Sequence, residues 1–213
     1  MIFNLPVIEE QHNLKITGVI HVGAFVGEEL AHYRRMGLTN TILFEPQNHL
    51  YEIISSKCIN DEKVFQVAIG SHSHTCDMFI SETEGGLVNV SGASSSILAP
   101  KKHLIEHPTI TFSKTETIQV EPLDEFLASE NIRALPYNFL NVDVQGYELE
   151  VLKGASKTLG CIHMMVIEVN RDEMYKNCPM INEIDEFLES YGFERVRTYW
   201  QSESWGDAVY VKR

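Results

Sequence analysis

The sequence is short of positive charge. Its 213 residues hold 17 lysines and arginines against 30 aspartates and glutamates, a formal charge of −13. A field of that sign repels nucleic-acid phosphates and anionic lipid heads. No nucleic-acid partner is therefore expected, and a neutral, cationic or zwitterionic small ligand suits the chain better. Long apolar runs are also missing. None approaches the ~20 residues that cross a bilayer, so no membrane span is expected. The opening stretch, MIFNLPVIEEQHN, has no basic segment followed by an apolar one. No signal peptide is expected, and a cytoplasmic location follows. Only four cysteines occur, none in C-x-x-C spacing. A zinc ribbon, a redox dithiol and a disulfide scaffold are thereby disfavoured. His72-Ser73-His74 would place two imidazoles on one side of a strand, but no third zinc ligand accompanies them.

What is present is an ordinary globular composition, with 44% hydrophobic and 22% charged residues. One domain over 1–213 is the expectation. Residues 16–22 (ITGVIHV) are short, β-branched and apolar, as in a strand buried on both faces. A helix is predicted over 28–36, a strand over 41–44, a helix over 47–57 and a strand over 64–69. This β-α-β-α-β alternation requires right-handed crossovers and puts helices on both sheet faces. It has the form of a mononucleotide-binding half. Residues 71–120 break the rhythm with Ser, Thr, Gly and His, and read as an insertion or lid holding strands near 76–81 and 115–120. Order resumes with a helix at 122–129, a strand at 138–142, a helix at 147–159 that breaks near Gly154, a strand at 163–169 and a helix at 180–191. Segments 193–199 and 208–212 then read as an antiparallel hairpin turning at Gly206-Asp207.

In open α/β sheets, ligands sit at the carboxyl ends of the strands. His21-Val22-Gly23-Ala24-Phe25-Val26-Gly27 follows the first strand. Gly23 and Gly27 permit close backbone approach to a ligand, with a tight strand-to-helix turn as the alternative. The third glycine of G-x-G-x-x-G is absent, which ranks a dinucleotide oxidoreductase last. Glu45-Pro46 follows the second strand, and an acid there accepts ribose hydroxyls or simply faces a helix N-terminus. Asp143-Val144-Gln145-Gly146-Tyr147-Glu148 follows the fourth. Asp143 suits a general base, a metal ligand, an acceptor for a ligand amine, or a helix cap. Glu168 and Asn170 close the fifth strand. With Asp143 they form an oxygen set that suits Mg²⁺, as in metal-dependent catechol-type enzymes, or makes ordinary surface hydrogen bonds. Ser94, Ser95 and Ser96 suit substrate hydroxyls or a polar loop. Glu148 is a further substrate candidate, with service to its helix N-terminus as the alternative.

These motifs together resemble the FkbM family of S-adenosylmethionine-dependent methyltransferases. The match is strongest at FLNVDVQGYELEVLKGA (139–155), with IHVGAFVGEE (20–29), LFEP (43–46), GASSS (92–96), VEPLDEFL (120–127), the IEV segment with Tyr175 and Pro179, and GDAVYVKR (206–213). The resemblance covers residues 16–213. It implies a Rossmann-like class I methyltransferase fold: an α/β architecture with a seven-stranded, mostly parallel sheet, an antiparallel last strand and helices on both faces. It implies that Gly23, Ala24 and Gly27 approach the methionine part of S-adenosylmethionine. Glu45 would hold the ribose, Ala68 and Ile69 would flank the adenine, and Asp143 and Gln145 would face the reaction centre. His21, Phe25, Pro46 and Val144 complete that cofactor set. Many relatives carry Asp where His21 stands, and that acid helps hold the cofactor's amino group, a role His21 cannot fill as an anion. The implied activity is O-methylation of a sugar or glycan, with Asp143 and Glu168 as catalytic candidates. The alternatives are a polyketide-like or other small hydroxylated acceptor, and a non-catalytic nucleotide- or glycan-binding module. The chain would also serve as one domain of a larger glycan-modifying protein.

Overall fold

The computed structural model describes residues 3–83 and 91–213. Its main sheet has seven strands: β1 (Gly18–Val22), β2 (Asn40–Phe44), β3 (Lys63–Phe65), β7 (Phe139–Val142), β8 (Met164–Asn170), β9 (Phe193–Trp200) and β10 (Trp205–Lys212). They lie in the order β3-β2-β1-β7-β8-β10-β9. β1 pairs in parallel with β2 and β7, and β7 with β8. β10, the last strand, runs antiparallel to both its neighbours. This is the predicted class I arrangement.

Alternation along β1 shows why it is central. Ile20 and Val22 point to one face, where they join Ile42, Phe44, Leu140, Val142 and Ile167. Val19 points to the other, against Phe139, Met164, Val166 and Val209. Each fully buried aliphatic contributes about 1.5–3 kcal/mol, so a strand apolar on both faces belongs in the middle of a sheet. The first face is covered by α5 (Leu123–Ser129), α6 (Glu148–Gly154) and α7 (Ile181–Glu189). α2 (Leu30–Arg35) supplies Tyr33 to the second face. α1 (Leu5–His12), which the sequence reading did not anticipate, adds Leu5 and Ile8 there. α3 (Asn48–Lys57) buries Leu50 and Ile54, two of the spaced apolar residues that predicted it.

Three boundaries differ from expectation. The strand predicted at 64–69 is two strands. β3 stays in the main sheet, whereas β4 (Ala68–Ile69) leaves it to pair with β6 (Ile110–Glu121). Phe65 explains the parting, because its ring stacks on Phe44 and meets Phe126 edge-on, so the chain leaves the sheet beyond it. The helix predicted over 147–159 is α6 followed by a short 3₁₀ turn, Thr158–Gly160. The closing hairpin turns at 201–204, and Gly206 lies inside β10 opposite Trp200. A Cβ on Gly206 would stand 2.3 Å from the Tyr199 carbonyl oxygen, so glycine is needed there for strand approach, not for a turn.

The Ser/Thr-rich segment is also more regular than its composition suggests. β5 (His74–Thr83) and β6 form a long antiparallel pair, and with β4 a second, three-stranded sheet. Residues 91–100 run beside β5, where Phe79 and Ser96 exchange backbone hydrogen bonds at 2.8 and 3.0 Å. The short α4 (His103–Glu106) precedes β6. No helix among the described residues is long and apolar enough to cross a membrane.

Candidate active site

The carboxyl ends of β1, β2 and β7 meet the second sheet around a cavity of about 320 Å³, within the range of small-molecule sites. Gly23 ties these ends together. Its φ is +82° and a Cβ would lie 1.8 Å from the Asp143 carbonyl oxygen, so no side chain fits. The Gly23 and Ala24 amides both donate to the Phe44 carbonyl, at 3.0 and 3.1 Å. Three strand ends are thereby held by backbone alone.

Glu45 lies at one end of the cavity, only 3% exposed. Its Oε2 accepts the Phe25 amide at 3.0 Å, and its Oε1 accepts the Gln47 amide at 3.0 Å and the Gln47 side chain at 3.2 Å. Burial pushes its carboxyl up to about 7, against the pull of those hydrogen bonds. A carboxylate offers about four lone-pair sites, so acceptor capacity remains for a ligand hydroxyl. Beside it lies an apolar slot formed by Val67, Ala68 and Ile69 with Met78 of β5, Ile97, and Ile118 of β6. Pro46, Phe25 and Ala24 also line the wall, as the sequence predicted.

Asp143 lies at the other end, on the wall and accessible from the cavity. The protein around it withdraws bulk water, which raises its carboxyl, while the Gln145 amide opposes the rise. Gln145 Nε2 donates to Asp143 Oδ1 at 2.7 Å and to Glu168 Oε2 at 2.8 Å, so one amide spans two carboxylates. Glu168 is 4% exposed and held well above the ordinary carboxylate range by burial, then by Asp143. Gln145 itself sits in the left-handed region, with φ +57°. It is pinned there by Ser96 Oγ, which donates to its carbonyl at 2.7 Å, and by the Tyr175 hydroxyl, 2.8 Å from its Oε1. The same hydroxyl lies 2.9 Å from the Ser94 carbonyl.

Several expected residues stand elsewhere. Gly27, Ser94, Ser96, Glu148, Glu168 and Asn170 do not line the cavity. Gly27 closes the turn after β1, its amide donating to the Ala24 carbonyl at 2.7 Å. Glu148 is fully buried, and its Oε1 accepts the Gly146 and Val144 amides at 2.9 and 3.2 Å. It holds the turn after β7 and does not meet a substrate. The serines bind protein: Ser94 N donates to Ser81 Oγ, and Ser95 Oγ donates to Gln47 Oε1. Of the three, only Ser95 reaches the wall. The Mg²⁺ set does not assemble. Asn170 makes no side-chain hydrogen bond among the described residues, and no three His, Cys, Asp or Glu among them are placed to hold a metal.

The sequence reading missed Gln47, Asn141, Gln201 and Asp207, all of which line the cavity. Asn141 had a signal, being polar inside the apolar strand FLNV. Asp207 was hidden by its assignment to a turn. The wall also carries Glu28 and Glu29, and among the described residues no Lys or Arg.

The methyltransferase FkbM domain model matches residues 21–195. The chain belongs to the FkbM methyltransferase family. Among curated FkbM-like relatives, the 2-O-methyltransferase NoeI of Sinorhizobium fredii (strain NBRC 101917 / NGR234) is 26% identical over 129 residues. That match takes in 61% of this chain and spans about half, 52%, of NoeI. Solved structures share the fold at low identity. A putative S-adenosylmethionine-dependent methyltransferase from Listeria monocytogenes superposes with a TM-score of 0.51 at 8% identity, covering 93% of this chain and 92% of its own. Magnesium protoporphyrin IX methyltransferase from Synechocystis PCC 6803, solved with bound SAM, gives 0.50 at 10% identity, covering 98% and 76%. The FkbM chain thus has the class I methyltransferase fold.

Proposed function

We propose that this FkbM protein is an S-adenosylmethionine-dependent O-methyltransferase acting on a hydroxyl of a sugar or glycan. One observation carries the reading: Glu45 and Asp143 face a single cavity from successive strand ends, joined by the turn at Gly23. Glu45 has acceptor capacity for ribose hydroxyls, and the slot at Ala68 and Ile69 suits an adenine. A wall bearing carboxylates, with no Lys or Arg among its described residues, suits a ligand that carries a sulfonium and an ammonium. The acceptor class rests on the likeness to NoeI, a 2-O-methyltransferase.

When bound, the cofactor supplies an electrophilic methyl group on its sulfonium. The protein's part is placement, which carries much of the rate effect for such a donor. Asp143 is placed to take the proton of the acceptor hydroxyl as its oxygen gains the methyl group. Gln145, fixed by Ser96 and Tyr175, keeps the carboxylate oriented. The three-stranded sheet and residues 91–97 form the wall opposite the main sheet, and on this reading they act as the lid that shapes the acceptor. Incubation with methyl-labelled cofactor and a panel of mono- and oligosaccharides tests the proposal. Label is expected in one or more acceptors as an alkali-stable ether. Label in none of them, with label in a phenolic or polyketide-like panel, would move the acceptor to the latter class.

A further inference from the structure

We propose that His21 is a neutral hydrogen-bond donor to the carboxylate of the cofactor, locked in its Nε2–H tautomer by Tyr33 and Asn141. The inference rests on the cofactor reading above, but its geometry is independent of that reading. His21 and Asn141 are register partners on β1 and β7, so their side chains emerge together on the sheet face that α2 covers. Tyr33, on α2, lies between them and is wholly buried. Its hydroxyl accepts the Asn141 Nδ2–H at 3.0 Å and stands 3.3 Å from His21 Nδ1.

Proton accounting decides the tautomer. An amide nitrogen can only donate, so the tyrosine oxygen is an acceptor towards Asn141. Its own O–H then needs an acceptor, because a buried hydroxyl with an unspent proton is costly. The His21 Nδ1 lone pair is the acceptor that the described residues offer. Nδ1 is therefore bare and the ring proton sits on Nε2. Burial lowers the pKa of His21, which keeps the ring neutral and the relay intact at pH 7.

His21 also lines the cavity, and Nε2 has no hydrogen-bond partner among the described residues. An N–H donor answers an oxygen and offers nothing to an ammonium. The cofactor's one anionic group is its carboxylate. With no Lys or Arg among the described wall residues, that carboxylate must be met by neutral donors. His21 is such a donor, held in advance by two residues that do not themselves need to touch the ligand.

The test pairs two ligands with variants. Titration calorimetry is run with S-adenosylmethionine and with its decarboxylated analogue. Wild type is expected to prefer the carboxylated ligand by roughly tenfold or more, the size of one hydrogen bond to a charged group. His21→Ala should abolish that preference while leaving affinity for the decarboxylated ligand within about twofold. His21→Gln, whose amide nitrogen can approach the place of Nε2, should restore part of it. Equal weakening of both ligands by His21→Ala would overturn the proposal and make His21 purely structural. If that variant does not fold, ¹⁵N NMR of the wild-type ring decides: a protonated Nε2 with bare Nδ1 is expected, and the opposite tautomer or a charged ring overturns the inference. Failure of the wild type to bind either ligand would overturn the cofactor reading and this proposal with it. Binding of both with equal affinity would overturn this proposal alone.

Discussion

The two ends of the cavity are built by different means. At the Glu45 end, the carboxylate is held by neighbours close in sequence: the amides of Phe25 and Gln47, and the Gln47 side chain. At the Asp143 end, the orienting contacts come from far along the chain. Ser96 and Tyr175 fix Gln145 across 49 and 30 residues, and Gln145 reaches Glu168 across 23. The first end is a local device made by a strand-to-helix turn. The second exists only after the insertion and β8 have docked. A binding end that forms locally and a reacting end assembled from several elements allow acceptor chemistry to vary without disturbing cofactor capture.

The largest expected effect falls at the reacting end. Asp143→Asn should lower the methyl-transfer rate by about 10²–10⁴-fold, the usual worth of a general base, with cofactor affinity changed far less. Steady-state kinetics alongside calorimetry would show the split, and a parallel loss of both would erase the distinction between the ends. Next comes Glu45→Ala, which should weaken cofactor binding by roughly 2–4 kcal/mol through lost charge-assisted bonds.

A pH scan should separate the ends further. Glu45 rises from an ordinary 4.5 to about 7 on folding. A carboxyl held above its unfolded value contributes stability that is complete below about 4.5 and lost as pH climbs through about 7. The thermal midpoint of the ligand-free protein should therefore fall between pH 5 and pH 8, and Glu45→Gln should flatten part of that slope, by roughly 5 °C. Cofactor binding needs Glu45 ionised to accept hydroxyls, so affinity should grow over the same interval. The smallest effect is expected from Tyr175→Phe. Losing the hydroxyl beside Gln145 should cost about 1 kcal/mol of stability and slow transfer several-fold, with cofactor affinity unchanged. A change in affinity instead would mean that the two ends are coupled.

The same contrast governs what could be read from the sequence. β1, β2, β7 and β8 were legible because strands buried on both faces must be apolar throughout, and the glycine turn and Glu45 follow from position alone. The second sheet was only partly legible. One of its faces is solvated, and its Ser and Thr residues serve strand and loop equally. Glu148 and Ser96 were misplaced for one reason: their partners are backbone groups of a turn whose left-handed geometry at Gln145 is invisible in composition. Gly206 was mistaken for a turn because glycine serves both turns and close strand approach, and only the packing against Tyr199 tells them apart. Asp207 was lost with it.

The central claim is that Glu45 and the slot beside it hold an adenosine-type cofactor. Calorimetric titration of S-adenosylmethionine into wild type and Glu45→Ala tests it most directly. The account predicts saturable binding by the wild type, weakened at least tenfold by the substitution. Absence of binding at millimolar cofactor, or an unchanged dissociation constant in Glu45→Ala, would contradict it.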